Sequence, residues 1–313
     1  MKKIKHVLSV LTILTASVAF GQSSLPFDEQ YFTSEKFLIN PAFAGITDDI
    51  AFKLSHRRQW NNLPNGPETS ISSIHGVVVD RLAVGAYFMK DKNGNTSTSS
   101  FNLAAAYHIP IGEFENRQDG QFSFGSSLSF AGIRYTGQPE DLYDPLYMDQ
   151  SAVYVPYLNL GASVQYKGWT LAASVLDIPL SYNSPIVNEL EPNPVFYYGM
   201  LGKRINVSSN FELEPMVAYR MNEASESRLD ANLRAKFKMN ENAVWVGANY
   251  RTDFWGDDNQ ATVVSPALGA EIGRFNVGAA YNIGLSDIAN EGNNGFSVSI
   301  GYNIENFFSP NHK

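Results

Sequence analysis

Apolar and polar residues alternate along most of the chain after residue 50, which indicates strands whose two faces meet different surroundings. In residues 101–109, Phe, Leu, Ala, Tyr and Ile occupy every second position, with Asn102 and His108 between them. The pattern predicts about fourteen strands, at residues 50–54, 69–79, 82–88, 101–109, 122–130, 158–164, 169–175, 196–202, 211–221, 229–239, 244–251, 264–272, 275–281 and 296–304. No apolar run in this region has the length of a spanning helix. The sequence therefore predicts an all-β fold, a closed transmembrane antiparallel β-barrel over residues 50–304, because barrels also satisfy their backbone hydrogen bonds in lipid.

The connections between these strands predict an orientation. Those expected at one end of the barrel are residues 80–81, 110–120, 167–168, 206–210, 240–243 and 273–274. Those expected at the other end are residues 57–68, 91–98, 136–151, 177–194, 222–227, 252–260 and 282–294. Outer-membrane barrels have short periplasmic turns and longer outer loops. We therefore expect the bacterial outer membrane as the location, with the N-terminus in the periplasm.

The N-terminal residues predict export. Residues 1–21 combine a basic start, an apolar run and small residues before Gln22, which is typical of a cleaved signal peptide. Residues 22–49 are then a periplasmic lead-in, and residues 305–313 form a periplasmic tail after the barrel. Removal of the signal deletes three lysines and no acid, so the formal net charge would move from −8 to −11. An acidic balance of this size argues against nucleic acid as a partner.

The composition agrees with a barrel and restricts the available chemistry. The chain has 20 Phe, 16 Tyr and 24 Gly, and only 17% of its residues are charged. This composition favours strands and turns. The absence of cysteine excludes a lipoprotein anchor, disulfides and thiolate metal sites.

One hairpin predicts a row of charged side chains. The even positions on its two strands carry Glu212, Glu214, Arg220, Asp230, Arg234, Lys236 and Lys238. Opposite charges that face each other across a ladder are stabilising. Pairing by charge gives the register Glu212–Lys238, Glu214–Lys236 and Arg220–Asp230, with the row facing the lumen. Pro215 conflicts with a mid-strand position because it donates no ladder hydrogen bond.

Motifs for catalysis or cofactor binding are absent, so we expect no enzyme activity, no cofactor and no metal site. Neither a nucleophile elbow nor a phosphate-binding loop occurs, and the histidines lack metal-ligand spacing. Residues 140–149 contain four acids, for which a solvated outer loop is favoured over a calcium site. The loop expected at residues 252–260 carries Phe254 and Trp255, for which a protein contact and a membrane-interface position both stay open.

The most distinctive motif stands between the lead-in and the first strand. It consists of Asn40, Pro41, Ala42, Phe43, Ala44 and Gly45, and is followed by Arg58, Gln59, Trp60, Gly66, Pro67 and Thr69. Asn-Pro initiates turns and Gly45 frees the backbone, so we expect a tight turn at the periplasmic rim. A docking point is the open alternative. For Arg58 and Trp60 a lumenal position is favoured over the outer aromatic belt.

These segments resemble the start of the PorP/SprF family, outer-membrane proteins of the Bacteroidetes type IX secretion system. The resemblance implies a barrel that works with a secreted surface protein bearing a C-terminal sorting domain, in export, surface attachment or gliding motility. It also implies contact with periplasmic secretion components and with outer-membrane lipid. The alternative function is a passive porin-like channel or a hydrophobic-solute transporter.

Overall fold

The computed structural model describes residues 35–60, 66–94, 96–112, 119–135, 153–180, 195–223, 226–255, 258–285 and 294–308. Two 3₁₀ helices come first, at Lys36–Leu38 and Pro41–Phe43. Fifteen strands follow in this part of the chain: β1 (Ile50–Arg58), β2 (Glu68–Val79), β3 (Leu82–Asn93), β4 (Thr96–Pro110), β5 (Gly120–Tyr135), β6 (Val153–Tyr166), β7 (Trp169–Pro179), β8 (Phe196–Lys203), β9 (Ile205–Asn206), β10 (Phe211–Asn222), β11 (Glu226–Met239), β12 (Asn242–Trp255), β13 (Asp258–Ile272), β14 (Phe275–Gly284) and β15 (Gly295–Ile304). Among the described residues, no helix has the length and apolarity that a membrane crossing requires.

The strands form one closed antiparallel sheet. Consecutive strands pair with each other, except that β8 and β9 both pair with β10, and β1 also pairs with β15, which closes the barrel. Strands β8 and β9 follow each other along β10 and together form one wall strand, so the barrel has fourteen. The predicted fourteen-stranded barrel is confirmed.

The two faces of the wall have opposite character. Large apolar side chains such as Phe101 and Leu103 are exposed on the outward face, which suits lipid contact. The inward face carries small polar groups that bond to one another. Asn102 and Asn159 each donate from Nδ2 to the hydroxyls of Ser127 and Ser129, at 2.6–3.0 Å. These bonds satisfy buried polar groups on three adjacent strands.

The predicted distribution of long and short connections is only partly correct. We name the two ends of the barrel the turn end, which carries residues 80–81 and 167–168, and the loop end opposite. At the loop end, β3 and β4 are separated by residues 94–95 alone, and β12 and β13 by residues 256–257 alone. Thus Phe254 belongs to a strand, and the loop predicted at residues 252–260 is wrong. Residues 140–149 lie outside the described residues. Strands β3 and β4 extend past the apolar band into residues 90–93 and 96–100, where both faces are polar and the alternation is lost.

The break between β8 and β9 resolves the conflict at Pro215. Leu213 pairs with Ile205 and Met216 pairs with Gly202, so the two intervening positions of β10 face the end of β8 and its gap. The amide of Arg204 donates instead to the carbonyl of Gly168, at 2.7 Å. Pro215 therefore stands where the ladder is already interrupted, as proline in a sheet requires.

Candidate functional site

Residues 35–45 form a segment that lies inside the barrel, which we call the lumen segment. Asn40 caps its second 3₁₀ helix, since its Oδ1 accepts a hydrogen bond from the amide of Ala42 at 2.9 Å. Pro41 takes the first helical position, where its missing N–H costs nothing. Gly45 then has a φ of 61°, which glycine adopts without strain. Local sequence chemistry thus folds the motif into one compact turn.

Asn40 connects this turn to the wall. Its Nδ2 donates to the carbonyl of Ala162 on β6 at 3.2 Å and to that of Ala173 on β7 at 3.0 Å. At the next residue of β7, the Ser174 hydroxyl donates to the carbonyl of Ile39 at 2.6 Å. Asn40 is buried, and the carbonyls of Ala162 and Ala173 would lose these hydrogen bonds if its side chain left.

Two histidines hold the other end of the motif. The amide of Gly45 donates to Nδ1 of His75 at 3.0 Å, and Nε2 of His108 lies 2.9 Å from the carbonyl of Ala44. Because a backbone N–H only donates and a carbonyl only accepts, we assign the Nε2 proton to both rings. Nδ1 of His108 then accepts from the Ser123 hydroxyl at 2.7 Å. Residues 44 and 45 are thereby fixed between β2 and β4.

Apolar side chains of the lumen segment fill the space beside these bonds. Phe43 is only 1% exposed, and Phe37, Leu38 and Ile39 are buried with it. The ring of Phe37 packs edge-on against Tyr87, with centroids 5.9 Å apart. The buried cluster includes residues of β2, β3, β4, β7, β8 and β10. The segment therefore rests on one half of the inner wall and is held mainly by apolar burial.

Glycines in the wall make room for the segment. Gly125 and Gly161 are paired neighbours on β5 and β6. A Cβ added at Gly125 would lie 2.7 Å from backbone atoms of Pro41 and Ala42, and one at Gly161 would overlap the Asn40 side chain. Gly125 is five residues along β5 from its first residue, roughly 16 Å at the usual rise per residue. The recess is inside the barrel, away from the rim.

Glu35 adds a polar contact at the start of the segment. Its Oε2 accepts from the Ser73 hydroxyl at 2.5 Å and lies 3.6 Å from Nε2 of His75. Burial alone would raise the pKa of the Glu35 carboxyl, but the hydrogen bond from His75, the charge of Lys53 and the Ser73 hydrogen bond together lower it. The carboxylate is therefore charged near neutral pH.

The predicted position of the motif is wrong, although its turn chemistry is right. Asn40 to Gly45 do form a tight turn, but the turn is buried against β4 to β7 and does not form the rim. In this position its side chains are covered by the wall. A cavity of about 220 Å³ lies between the segment and Ala51 and Asn303, on the adjoining strands β1 and β15. Direct docking by the motif would require the segment to leave its recess.

The remaining motif residues lie apart from the lumen segment. Arg58 is on the outward face of β1 and pairs with Glu68 at 3.3 Å, so the favoured lumenal position is wrong for it. Trp60 lies just past β1, partly buried, with a φ of 53°. The amide of Gln59 donates to the carbonyl of Pro67 at 2.9 Å, beside the buried Gly66. Thr69 is buried and donates to Asp91 at 2.6 Å. These contacts fix the first hairpin at the loop end.

The charge row has a different register from the one predicted. Glu212 pairs with Lys236, Glu214 with Arg234 and Arg220 with Arg228, a shift of two residues. A shift of two keeps the same face, so the row still lies opposite the exposed Leu233 and Phe237. Its salt bridges run Arg234–Glu214, Lys238–Glu212, Lys236–Glu271, Arg228–Asp253 and Arg251–Asp253. Charge pairing failed as a guide because the long side chains reach diagonal neighbours and the next strands.

Several residues of the site carry no recognisable sequence signal. His75 and His108 have no spacing that links them to residues 44 and 45. Gly85, Gly125 and Gly161 interrupt alternating strands at inward positions, and such glycines mark a close approach of another group. In the part of the chain that the structure describes, no group of acids and histidines is arranged to hold a metal ion.

The fold and the site define an outer-membrane β-barrel that carries a segment of its own chain in its lumen. A family model for the type IX secretion system membrane protein PorP/SprF matches residues 21–302, and the chain belongs to this family. No curated protein matches the chain.

Solved outer-membrane proteins resemble it at low identity. The bacterial polysaccharide outer membrane secretin has a TM-score of 0.48 and 9% identity, covering 82% of this chain and 99% of that one. For Omp33 of Acinetobacter baumannii the TM-score is 0.45 and the identity is 8%, and the match covers 82% of this chain and 100% of Omp33. For the beta domain of the Bordetella autotransporter BrkA the TM-score is 0.40 and the identity is 12%, and the match covers 82% of this chain and 99% of that domain.

Proposed function

We propose that this barrel is a non-enzymatic outer-membrane partner of one secreted substrate of the type IX system. The substrate is a surface protein with a C-terminal sorting domain, and the barrel supports its export, attachment or display, including display that serves gliding motility. The N-terminus and the turn end face the periplasm, where the lead-in meets secretion components. Family membership supports the link to secretion.

The lumen segment is the observation that favours this function over a passive channel. A general diffusion pore needs a water-filled lumen lined by polar groups. Here a segment of the chain is bound to β2, β4, β6 and β7 by hydrogen bonds and covers apolar side chains of the wall. A barrel that holds such a segment suits attachment of a partner better than free solute passage.

Deletion of the gene and conductance measurement together test the proposal. We expect the deletion strain to lose surface display of one protein while its permeability to small solutes stays unchanged. Affinity purification from native membranes should recover that surface protein or a periplasmic secretion component. Steady conductance in planar bilayers, with reduced solute uptake and unchanged display in the deletion strain, would instead establish the channel.

A further inference from the structure

Two lysines stand beside two aromatic rings on the outward face at the turn end. Nζ of Lys203 lies 4.6 Å from the ring centroid of Trp169 and donates to the carbonyl of Lys167 at 2.8 Å. Nζ of Lys167 lies 5.3 Å from the ring centroid of Tyr166. Cation–π contacts of this kind hold an ammonium in place and leave N–H groups for a further acceptor. The four residues form a small cationic surface, which we call the lysine–aromatic patch.

The patch continues into an apolar surface further from the turn. Trp169 and Tyr166 are 51% and 40% exposed. Trp169 pairs with Lys203, and two residues further along the same strands Leu171 pairs with Leu201, both exposed outward. The order is therefore cation, aromatic ring, aliphatic side chain, which matches the order of headgroup, interface and acyl chain in a membrane leaflet.

In the described part of the chain, the two ammonium groups of the patch have no carboxylate partner. The nearby Asp119, whose carbonyl accepts from the Lys167 amide at 2.8 Å, pairs through its carboxylate with Arg204. Other cations at this end pair with carboxylates, as Arg81 does with Asp80 at 3.7 Å and Arg274 with Glu305 at 2.9 Å. Within the described residues, the ammonium groups of Lys167 and Lys203 contact no carboxylate within 4 Å. Charge complementarity thus calls for an anionic ligand.

The backbone of the patch supports the same conclusion. Lys167 and Gly168 form the two-residue turn between β6 and β7, with φ values of 48° and 80°. A hairpin turn with two positive φ values favours Asn, Asp or Gly at its first position, and other side chains are strained there. A lysine at this position is held at a cost to folding, and its side chain points the ammonium toward Tyr166. Such a residue is expected where its charge has a use.

We propose that the lysine–aromatic patch binds an anionic glycerophospholipid. The phosphate accepts hydrogen bonds from the ammonium groups of Lys167 and Lys203, the glycerol region lies against Tyr166 and Trp169, and an acyl chain follows Leu171 and Leu201. The inference needs only a barrel in a membrane and is independent of the secretion function. With the turn end in the periplasm, the ligand belongs to the inner leaflet.

Native mass spectrometry of the full-length barrel tests the site. The barrel is released from micelles that contain equal amounts of phosphatidylglycerol and phosphatidylcholine, and retained lipid is counted. The parent should retain phosphatidylglycerol preferentially. K167Q with K203Q should weaken retention about thirtyfold, from about 1 kcal/mol per lysine near an anionic surface and 1.4 kcal/mol per tenfold. The matched control, R81Q with R274Q, removes two paired cations at the same end and should retain lipid as the parent does.

Four outcomes would contradict the proposal, the first three as a whole and the last in the part that concerns Trp169. The first is equal retention of the two lipids by the parent, which would show apolar adsorption alone. The second is unchanged phosphatidylglycerol retention in the double lysine variant, with heat-modifiable migration confirming that it is folded. The third is displacement of the lipid by millimolar inorganic phosphate with no dependence on acyl chains, which would identify a simple anion site. Retention of the lipid by W169L at the parent level would show that the ring has no part.

Discussion

The two halves of the inner wall differ in the side chains that line them. From β2 to β8 the wall is lined by glycine, alanine, serine and two histidines, and it holds the lumen segment. From β10 to β13 it is lined by charged side chains that pair with one another, as Arg234 does with Glu214 and Lys236 with Glu271. One half is thus shaped for a ligand that is part of the chain, and the other is neutralised internally. A barrel wall can specialise by sector without any change in architecture.

The largest expected effect follows from filling the glycine recess. Gly125→Val places a branched side chain where the backbone of Pro41 and Ala42 lies. Overpacking against backbone costs up to about 3 kcal/mol, so the lumen segment should leave its recess while the barrel stays closed. The chain has no cysteine, so Leu38→Cys supplies a single buried reporter whose labelling by a thiol reagent should accelerate about a hundredfold.

Gly199→Val is the matched control for this substitution. Gly199 lies on β8, and nothing stands within 4 Å of its added Cβ. Labelling of the Leu38→Cys reporter should be unchanged in this variant. Equal labelling of the two glycine variants would contradict the recess and indicate that the segment does not depend on the β2 to β8 half.

Removal of the wall contacts of Asn40 comes next. Asn40→Asp replaces a donor with a carboxylate that faces the carbonyl oxygens of Ala162 and Ala173. An unsatisfied or repelled buried group costs about 2 kcal/mol, so reporter labelling should accelerate about thirtyfold. Asn306→Asp provides the comparison, since Asn306 is buried and donates to the carbonyl of Val77 on β2, whereas Asn40 donates to carbonyls of β6 and β7. Its barrel should label at the parent rate.

The sequence predicts the charged half of the wall better than the apolar half, for a physical reason. Alternation exposes an inward charged row directly, and both strand number and faces follow from a period of two. The register between strands does not follow from this period, because a shift of two residues leaves each side chain on the same face. The pairing of Glu214 with Arg234 instead of Lys236 is such a shift. The position of Asn40 against the wall depends on contacts between residues more than 120 positions apart. No local pattern encodes such contacts, and only the inward glycines hint at them.

The charged half should respond less to single changes, since its pairs are partly solvated. Glu214→Arg breaks the pairing with Arg234, and exposure of roughly a quarter on both side chains limits the loss to about 1 kcal/mol. Exchanging the two charges in Glu214→Arg with Arg234→Glu should restore urea stability. Because Lys236 pairs with Glu271, the swap of Glu214 with Lys236 should give no such rescue. Rescue by that second swap would instead support the register predicted from charge, in which Glu214 pairs with Lys236.

Acidification should have the smallest effect on how firmly the lumen segment is held against the wall. Burial raises the pKa of the Glu35 carboxyl, but His75, Lys53 and Ser73 together hold it below the ordinary carboxyl value of about 4.5. Its stabilising contribution is therefore complete above that ordinary value and is lost as the pH falls through the lower folded pKa. Reporter labelling, normalised to a denatured control at each pH, should therefore rise modestly below that range. Glu35→Gln should label faster than the parent at neutral pH and lose the part of the acid response that Glu35 causes. Glutamine keeps the size of the side chain and removes only its titration. A parent-like acid response in Glu35→Gln would therefore show that other groups near the segment cause the faster labelling at low pH.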